Sequence, residues 1–369
     1  MISTRKRPMI LGGMLLPAVA GSSRLSDAQE ATAAKPTRPS PPTQPATGPG
    51  GADYLYDTVI ASAYRKDSSR VDEARPAIYH FWLFEPADPR PGAPAADVPL
   101  PVVIFLSDCC DFHRWATGRP DSFRSWIDHL VRRGAVVVYP MEADYFFGME
   151  AVENMKLAVA DALMELDSGE HLLMDLDRVA VVGLGLGGSH AVNLVASPPD
   201  GMLDPTALFL VGPFMPSMDG PNFQVTEAIE AIPAETHVAL VGAEDDDFEE
   251  GLDEVWLGLS QAGQVPVNQR AYVVLPSDDH GRPALVADGW NAHTDGTDLP
   301  GVYVDALDWY GTWKLLDGLM ACTFEGEFCE YVFGDTPEAR FMGEWSDGVP
   351  VTEALVMEDA GTPDSTPSG

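Results

Sequence analysis

The sequence predicts an α/β fold in which helices cover both faces of a mostly parallel central sheet. Short, continuous apolar runs of the kind found in strands buried on both faces alternate with segments of helical period. Glycine or proline ends many of these segments. Apolar residues make up 45% of the 369-residue chain, which is enough for a sizeable core.

The alternation can be followed along the chain from residue 52 to residue 345. Trp126, Ile127 and Leu130 recur at helical spacing before Gly134, which predicts a helix over 122–133. Further helices are predicted at 150–166, 187–196 and 304–319. The predicted strands are 77–84, 101–107, 135–139, 178–182, 207–211, 237–241 and 271–275. Ligands of such sheets bind at the carboxyl ends of the strands, so the residues there are the site candidates.

The N-terminus predicts export. A basic cluster at 5–7 precedes an apolar run at 9–20, which is too short to span a bilayer and ends in an A-x-A cleavage pattern. Residues 1–20 are therefore predicted to be a signal peptide, and the protein to be secreted or periplasmic. An unprocessed, unstructured N-terminus is the alternative.

The remaining chain is divided by composition. Six prolines between Lys35 and Gly50 predict that 21–51 is a disordered, extended linker. Residues 52–345 form the predicted α/β domain. A C-terminal extension follows at 346–369, and its small, polar end is predicted to be disordered.

The charge of the chain excludes some partners. It carries 22 basic and 57 acidic side chains, a formal net charge of −35. A nucleic-acid-binding surface needs a basic patch, and the same acidity repels anionic lipid. No apolar stretch after the N-terminal one is long enough to be a membrane span. The sequence does not identify a protein partner.

The four cysteines favour disulfide chemistry over metal binding. Cys322 and Cys329 are predicted to close a short loop if their Cα atoms are near enough. Cys109 and Cys110 are adjacent, and their state stays open. The spacing lacks the paired C-x-x-C pattern of zinc sites, so we expect no metal.

A glycine-rich turn follows the strand at 178–182. Its sequence, GLGLGG, occupies 183–188 between a strand and a helix, the context of the G-x-S-x-G nucleophile elbow. The nucleophile position is then Gly185, which has no side chain. Ser189 is a less favoured substitute, because it lies one helical turn further on. The glycines also match G-x-G-x-x-G, but that dinucleotide motif normally opens the first βα unit, so no cofactor is expected.

Two later loops supply an acid and a histidine. Asp245 follows the strand at 237–241 and is the first choice for a catalytic acid, with Asp246 in reserve. A solvated acidic loop is the plain alternative, and a calcium site lacks EF-hand spacing. His280 follows the last predicted core strand and is the candidate base. The order elbow, acid, histidine is that of α/β-hydrolases.

Over residues 54–356, the chain resembles secreted bacterial α/β-hydrolases related to chlorophyllases, cutinases and dienelactone-hydrolase-like esterases. The segments that carry the resemblance are PVVIFLSDCC, WIDHLVRRGAVVVYP, RVAVVGLGLGG, VGAEDDD, SDDHGRPALVAD, VDALDWYGTWKLLDGL and RFMGEWSDGVPV. Such proteins carry His-Ser where this chain has Leu184-Gly185, and His-Gly where it has Ser107-Asp108.

The resemblance implies a catalytic site that has lost essential parts. Asp245 and His280 would be the vestigial triad acid and base, and Gly185 the substituted nucleophile. Leu186 would donate one oxyanion N–H, whereas Asp108 would place a carboxylate beside the second donor. We therefore expect a degenerate hydrolase that binds a small apolar or ester-like ligand, or a partner. The alternative is an active ester hydrolase that uses water, Ser189 or a cysteine.

Overall fold

The computed structural model describes most of the chain beyond residue 37. The predicted signal peptide, Asp108, Cys109, Cys110 and the end of the chain from residue 359 lie outside the described residues. The described ranges are 38–65, 80–107, 120–141, 149–212, 225–246, 250–290, 292–294 and 303–358.

A nine-stranded sheet forms the centre of the fold. Its strands are β1 (Tyr56–Arg65), β2 (His80–Pro89), β3 (Leu100–Leu106), β4 (Val136–Met141), β5 (Met174–Leu184), β6 (Ala207–Val211), β7 (His237–Ala243), β8 (Arg270–Leu275) and β9 (Leu355–Val356). They lie in the order β1-β2-β4-β3-β5-β6-β7-β8-β9. β2 is antiparallel to β1 and β4, and β9 is antiparallel to β8, while the strands from β4 to β8 run parallel.

Helices cover both faces of this sheet. They are α1 (Arg124–Arg132), α2 (Met149–Leu166), α3 (Leu186–Ala196), α4 (Val225–Glu230), α5 (Glu250–Ala262), α6 (Trp313–Glu325) and α7 (Pro337–Arg340). α1 and α6 pack into one buried apolar cluster, and α2, α3, α4 and α5 pack into another on the opposite face. The predicted α/β-hydrolase fold is confirmed by this mostly parallel sheet between two helical layers.

The described part of the predicted linker, 38–51, is ordered by packing. We call residues 38–54 the N-terminal strap. The carbonyl of Pro39 accepts a hydrogen bond from Arg282 N at 2.8 Å, and that of Ser40 from Ser346 N at 3.0 Å. Tyr310 Oη donates to the carbonyl of Thr43 at 3.1 Å. Proline-rich backbone retains its acceptors, so donors elsewhere in the fold can hold it in place.

A buried charge cluster anchors the other end of the strap. Asp317 on α6 accepts a hydrogen bond from Gly50 N at 2.8 Å and lies 3.0 Å from His129 Nε2 on α1. Arg133 Nε lies 3.2 Å from the same carboxylate. Burial alone would raise the pKa of Asp317, but the positive charge of Arg133 and the contact with His129 hold it below its ordinary value.

The domain continues past the predicted boundary at residue 345. Thr352 donates to Asp278 Oδ2 from its backbone N at 2.9 Å and from its hydroxyl at 3.0 Å. β9 then adds to the edge of the sheet beside β8. The first part of the predicted extension, up to residue 358, therefore belongs to the fold. β1 and β9 were not predicted from the sequence.

Two further features concern covalent structure and membranes. Cys322 and Cys329 are joined by a disulfide bond, with their Cα atoms 4.7 Å apart, at the end of α6. Of the helices in the described ranges, none combines the length and the apolar character that crossing a membrane requires.

Candidate functional site

The junction of β5 and α3 has the geometry of a sharp elbow. Gly185 lies between the two elements with φ 51° and ψ −123°. This is the positive-φ half of backbone space, where glycine fits without strain and other residues do not. Gly185 N donates to the carbonyl of Val211 at the end of β6, at 3.1 Å. The bend is therefore held at the carboxyl edge of the parallel strands.

The glycines on either side of the bend allow close packing. A Cβ on Gly187 would lie 2.5 Å from the carbonyl oxygen of Ser107, and one on Gly183 would lie 2.6 Å from that of Gly187. Real Cβ atoms do not approach carbonyl oxygens so closely. The start of α3 is thus pressed against the ends of β3 and β5, which accounts for these glycines without a nucleotide.

Two further residues predicted to act at the elbow, Leu186 and Ser189, lie in the first turns of α3. Leu186 is the first residue of α3, and its backbone N–H lies in the first turn beside Gly185. Its role as an oxyanion donor stays a prediction. Ser189 is fully buried, and its hydroxyl donates to the carbonyl of Leu186 at 2.8 Å. The alternative of Ser189 as a nucleophile is therefore wrong, because the hydroxyl is buried and bonded to the backbone of its own helix.

The predicted pair of Asp245 and His280 is not formed among the described residues. Asp245 is exposed and accepts a hydrogen bond from Ser277 Oγ at 2.6 Å. His280 Nε2 lies 2.9 Å from Asp347 Oδ2, and 39% of the His280 side chain is exposed. The hydrogen bond with His280 lowers the pKa of Asp347. We correct this assignment, because His280 is directed to a surface carboxylate contributed by the C-terminal segment.

The reserve acid, Asp246, lies closer to the elbow. A Cβ on Gly212, the residue after β6, would lie 3.3 Å from Asp246 Oδ2, and one on Gly289 would lie 2.9 Å from Oδ1. The carboxylate therefore sits between two backbone segments. One of them follows directly on Val211, which accepts the hydrogen bond from Gly185.

His293 is a histidine that the sequence reasoning missed. It lies four residues after Gly289, and its backbone N donates to the carbonyl of Trp290 at 2.9 Å. The His293 ring packs on Phe123, with centroids 4.7 Å apart, and Phe123 packs on Phe105 of β3 at 5.5 Å. The ring is thereby tied to the strand next to the elbow strand.

The chain next to His293 is held in place. Thr294 N donates to the carbonyl of Ser122 at 2.8 Å, which fixes the loop to the turn before α1. The geometry thus brings Gly185, Asp246 and His293 to one edge of the sheet. The sequence contains one signal for His293, which is the last histidine before α6. His280 lies nearer to the end of β8, and the sequence therefore favours it as the candidate base.

The described site residues do not suggest a metal. Over the described ranges, no cluster of three or more His, Cys, Asp or Glu side chains is placed to bind a cation. A histidine, a carboxylate and backbone N–H groups, which general acid–base catalysis uses, lie at this edge of the sheet.

Among known proteins, the chain has a weak structural similarity to a fungal esterase. No family model and no curated protein matches the chain. Among solved structures, it is similar to one from a study of two esterases of the fungus Rhizomucor miehei, with 17% identity and a TM-score of 0.42. The match covers 61% of this chain and 76% of that chain. The fold assignment therefore rests on the strand order and the helical layers described above.

Proposed function

We propose that this chain is an exported α/β-hydrolase-fold protein that has lost serine-type ester hydrolysis and binds a small apolar or ester-like ligand at the elbow. The observation that carries the proposal is Gly185, whose backbone adopts the positive-φ bend of the elbow while its position offers no hydroxyl. The sequence segments quoted above favour kinship with secreted bacterial relatives of chlorophyllases, cutinases and dienelactone hydrolases.

The missing hydroxyl removes the covalent route. Serine hydrolysis divides acyl transfer into two easier steps through an ester on the enzyme, and glycine cannot form that ester. The Leu186 N–H would be one oxyanion donor. Losing a second donor costs about 3 to 4 kcal/mol of transition-state stabilisation, and a carboxylate at Asp108 would add repulsion.

A second candidate function is hydrolysis by an activated water. It is favoured by the position of His293, whose ring packs through Phe123 against β3, with the Asp246 carboxylate beside Gly289 in the same loop. In this alternative, His293 takes a proton from water as the water oxygen attacks the ester carbonyl carbon, and Asp246 stabilises the imidazolium. The bond to the alcohol then breaks, and His293 returns the proton to the leaving oxygen. No covalent intermediate forms.

Hydrolysis of p-nitrophenyl butyrate by the purified chain separates these functions. We expect no turnover above buffer for the native chain, and a rate about 100-fold or more above the buffer rate in Gly185→Ser, which restores a nucleophile for general-base catalysis. Adding His293→Ala to Gly185→Ser should abolish the gain, whereas adding His280→Ala, at an exposed histidine, should not. Native turnover that is lost in His293→Ala would overturn the proposal in favour of the second candidate.

Export is tested separately. The basic cluster and apolar run at 1–20 support it. The N-terminal sequence of protein recovered from the periplasm or medium should begin after Ala20. Retention of the intact chain inside the cell would contradict export.

A further inference from the structure

Trp290 is placed unlike the buried tryptophans of the described chain. It is 36% exposed, whereas Trp126, Trp313 and Trp345 are at most 3% exposed. An aromatic side chain of this size usually buries most of its surface, so an exposed one is a candidate contact for a ligand.

Local hydrogen bonds hold the backbone of Trp290. Trp290 N donates to Asp288 Oδ1 at 2.9 Å, and the Trp290 carbonyl accepts from His293 N at 2.9 Å. The Trp290 and His293 rings pack with centroids 5.2 Å apart. Since His293 in turn packs on the buried Phe123, the indole is the exposed end of an aromatic row that reaches the core.

The surroundings of Trp290 are acidic. Gly289, its neighbour, lies against the Asp246 carboxylate, and Asp288 hydrogen-bonds its backbone. Asp245 is exposed just before Asp246 in the same loop. Carboxylates repel an anion, attract a cation and leave a neutral molecule unaffected, so these surroundings disfavour an anionic ligand.

We propose that Trp290 is a stacking platform that selects ligands with a flat aromatic face and no negative charge at the elbow site. This inference rests on the proposed ligand-binding function and adds the class of ligand to it. The ligand would lie with its aromatic face on the indole and its polar group towards His293 and the Gly185 bend. Flatness is required because a planar ring can stack on the indole whereas a puckered ring cannot, and the carboxylates repel a negatively charged ligand.

Calorimetric titration of the full chain with three probes tests the inference. The probes are 2-naphthol, which is flat and neutral; decahydro-2-naphthol, which has the same skeleton but is puckered; and 2-naphthoate, which is flat and anionic. We expect 2-naphthol to bind most tightly. Trp290→Ala should weaken its binding by about 2- to 10-fold, the range of aromatic pair energies, and Trp290→Phe should retain most of it.

Two further variants make the outcomes separable. Phe341→Ala removes an aromatic side chain of similar exposure, 44%, from the segment after α7, and should leave binding unchanged. Gly185→Leu fills the elbow and should abolish binding; thermal unfolding checks that each variant is folded. If Gly185→Leu abolishes binding while Trp290→Ala leaves it unchanged, the inference fails and the proposed function stands. If neither variant changes binding, both fail. Equal affinity for the flat and the puckered probe, or no binding of 2-naphthol, also overturns the inference.

Discussion

Gly187 and Gly258 are both helical glycines, yet their surroundings differ. A side chain at Gly187 would meet the backbone oxygens of Leu106 and Ser107, which cannot move without displacing β3. A side chain at Gly258 on α5 would meet only the ends of Ile229, at 3.1 and 3.4 Å. The first glycine is therefore required by packing at the elbow, whereas the second is replaceable.

This difference predicts opposite responses to alanine. Gly187→Ala should lower the free energy of unfolding by about 1 to 3 kcal/mol, the usual cost of overpacking. Gly258→Ala should change it by no more than about 1 kcal/mol, because the gain in helix propensity offsets the contact with Ile229. Urea unfolding of the two variants measures both values. A loss in Gly258→Ala as large as that in Gly187→Ala would contradict the packing argument.

At the scale of elements, a histidine links the outer strands to α2. His171 Nδ1 lies 2.8 Å from Glu85 on β2, and Nε2 lies 3.2 Å from the Tyr64 hydroxyl on β1. Glu165 on α2 lies 3.5 Å from the same Nε2. Burial lowers the pKa of His171, but the hydrogen bond and charge of Glu85, with those of Glu165, outweigh burial and raise it above its ordinary value.

The raised pKa predicts a pH-dependent contribution to stability. The protonated ring stabilises the fold fully below the pKa of an unfolded histidine, about 6.5. This stabilisation is lost as pH rises through the higher folded pKa. The difference in unfolding free energy between the native chain and His171→Gln should therefore shrink from pH 5.5 to pH 8.5.

His237→Gln is the control for this pH dependence. Burial lowers the pKa of His237, so protonation favours the unfolded chain and the native chain loses stability as pH falls. The difference in unfolding free energy between the native chain and His237→Gln should therefore change with pH in the opposite direction to that for His171→Gln. Two parallel pH profiles would rule out the assignment of opposite shifts.

The N-terminal strap is the element for which sequence reasoning was least accurate. Its prolines predicted a disordered tether, because a proline-rich segment forms no helix or strand through hydrogen bonds of its own. Its order comes from donors at Arg282, Tyr310 and Ser346, which are distant in sequence. Such donors cannot be recognised before the fold that assembles them is known.

At the scale of the whole molecule, the net charge of −35 is the dominant electrostatic feature. Mutual repulsion of like charges destabilises a compact state, and salt screens it over about 10 Å at 0.1 M ionic strength. The acidic surface should therefore make folding depend on salt.

We predict that the thermal midpoint rises by a few degrees as salt increases, by about 2 °C or less for each kcal/mol of stability gained, because the shift per kcal/mol decreases with domain size. Sodium chloride and potassium chloride should give the same curve, because screening depends on ionic strength alone. A midpoint that falls with salt would contradict net repulsion, and a rise with only one of the salts would indicate binding of a specific ion.

The sequence by itself determined the layered fold and the glycine bend, because buried strands, helices and a glycine-rich turn each leave a pattern in a run of neighbouring residues. The order of the strands across the sheet, with β3 between β4 and β5, was seen only in the tertiary structure. Only the tertiary structure decided which acid and which histidine lie near the bend. Asp246 and His293 are brought there by contacts with Gly212, Gly289 and Phe123, whereas Asp245 and His280 are drawn to Ser277 and Asp347. The physical reason is that loop residues are placed by partners far along the chain, and no local period encodes them.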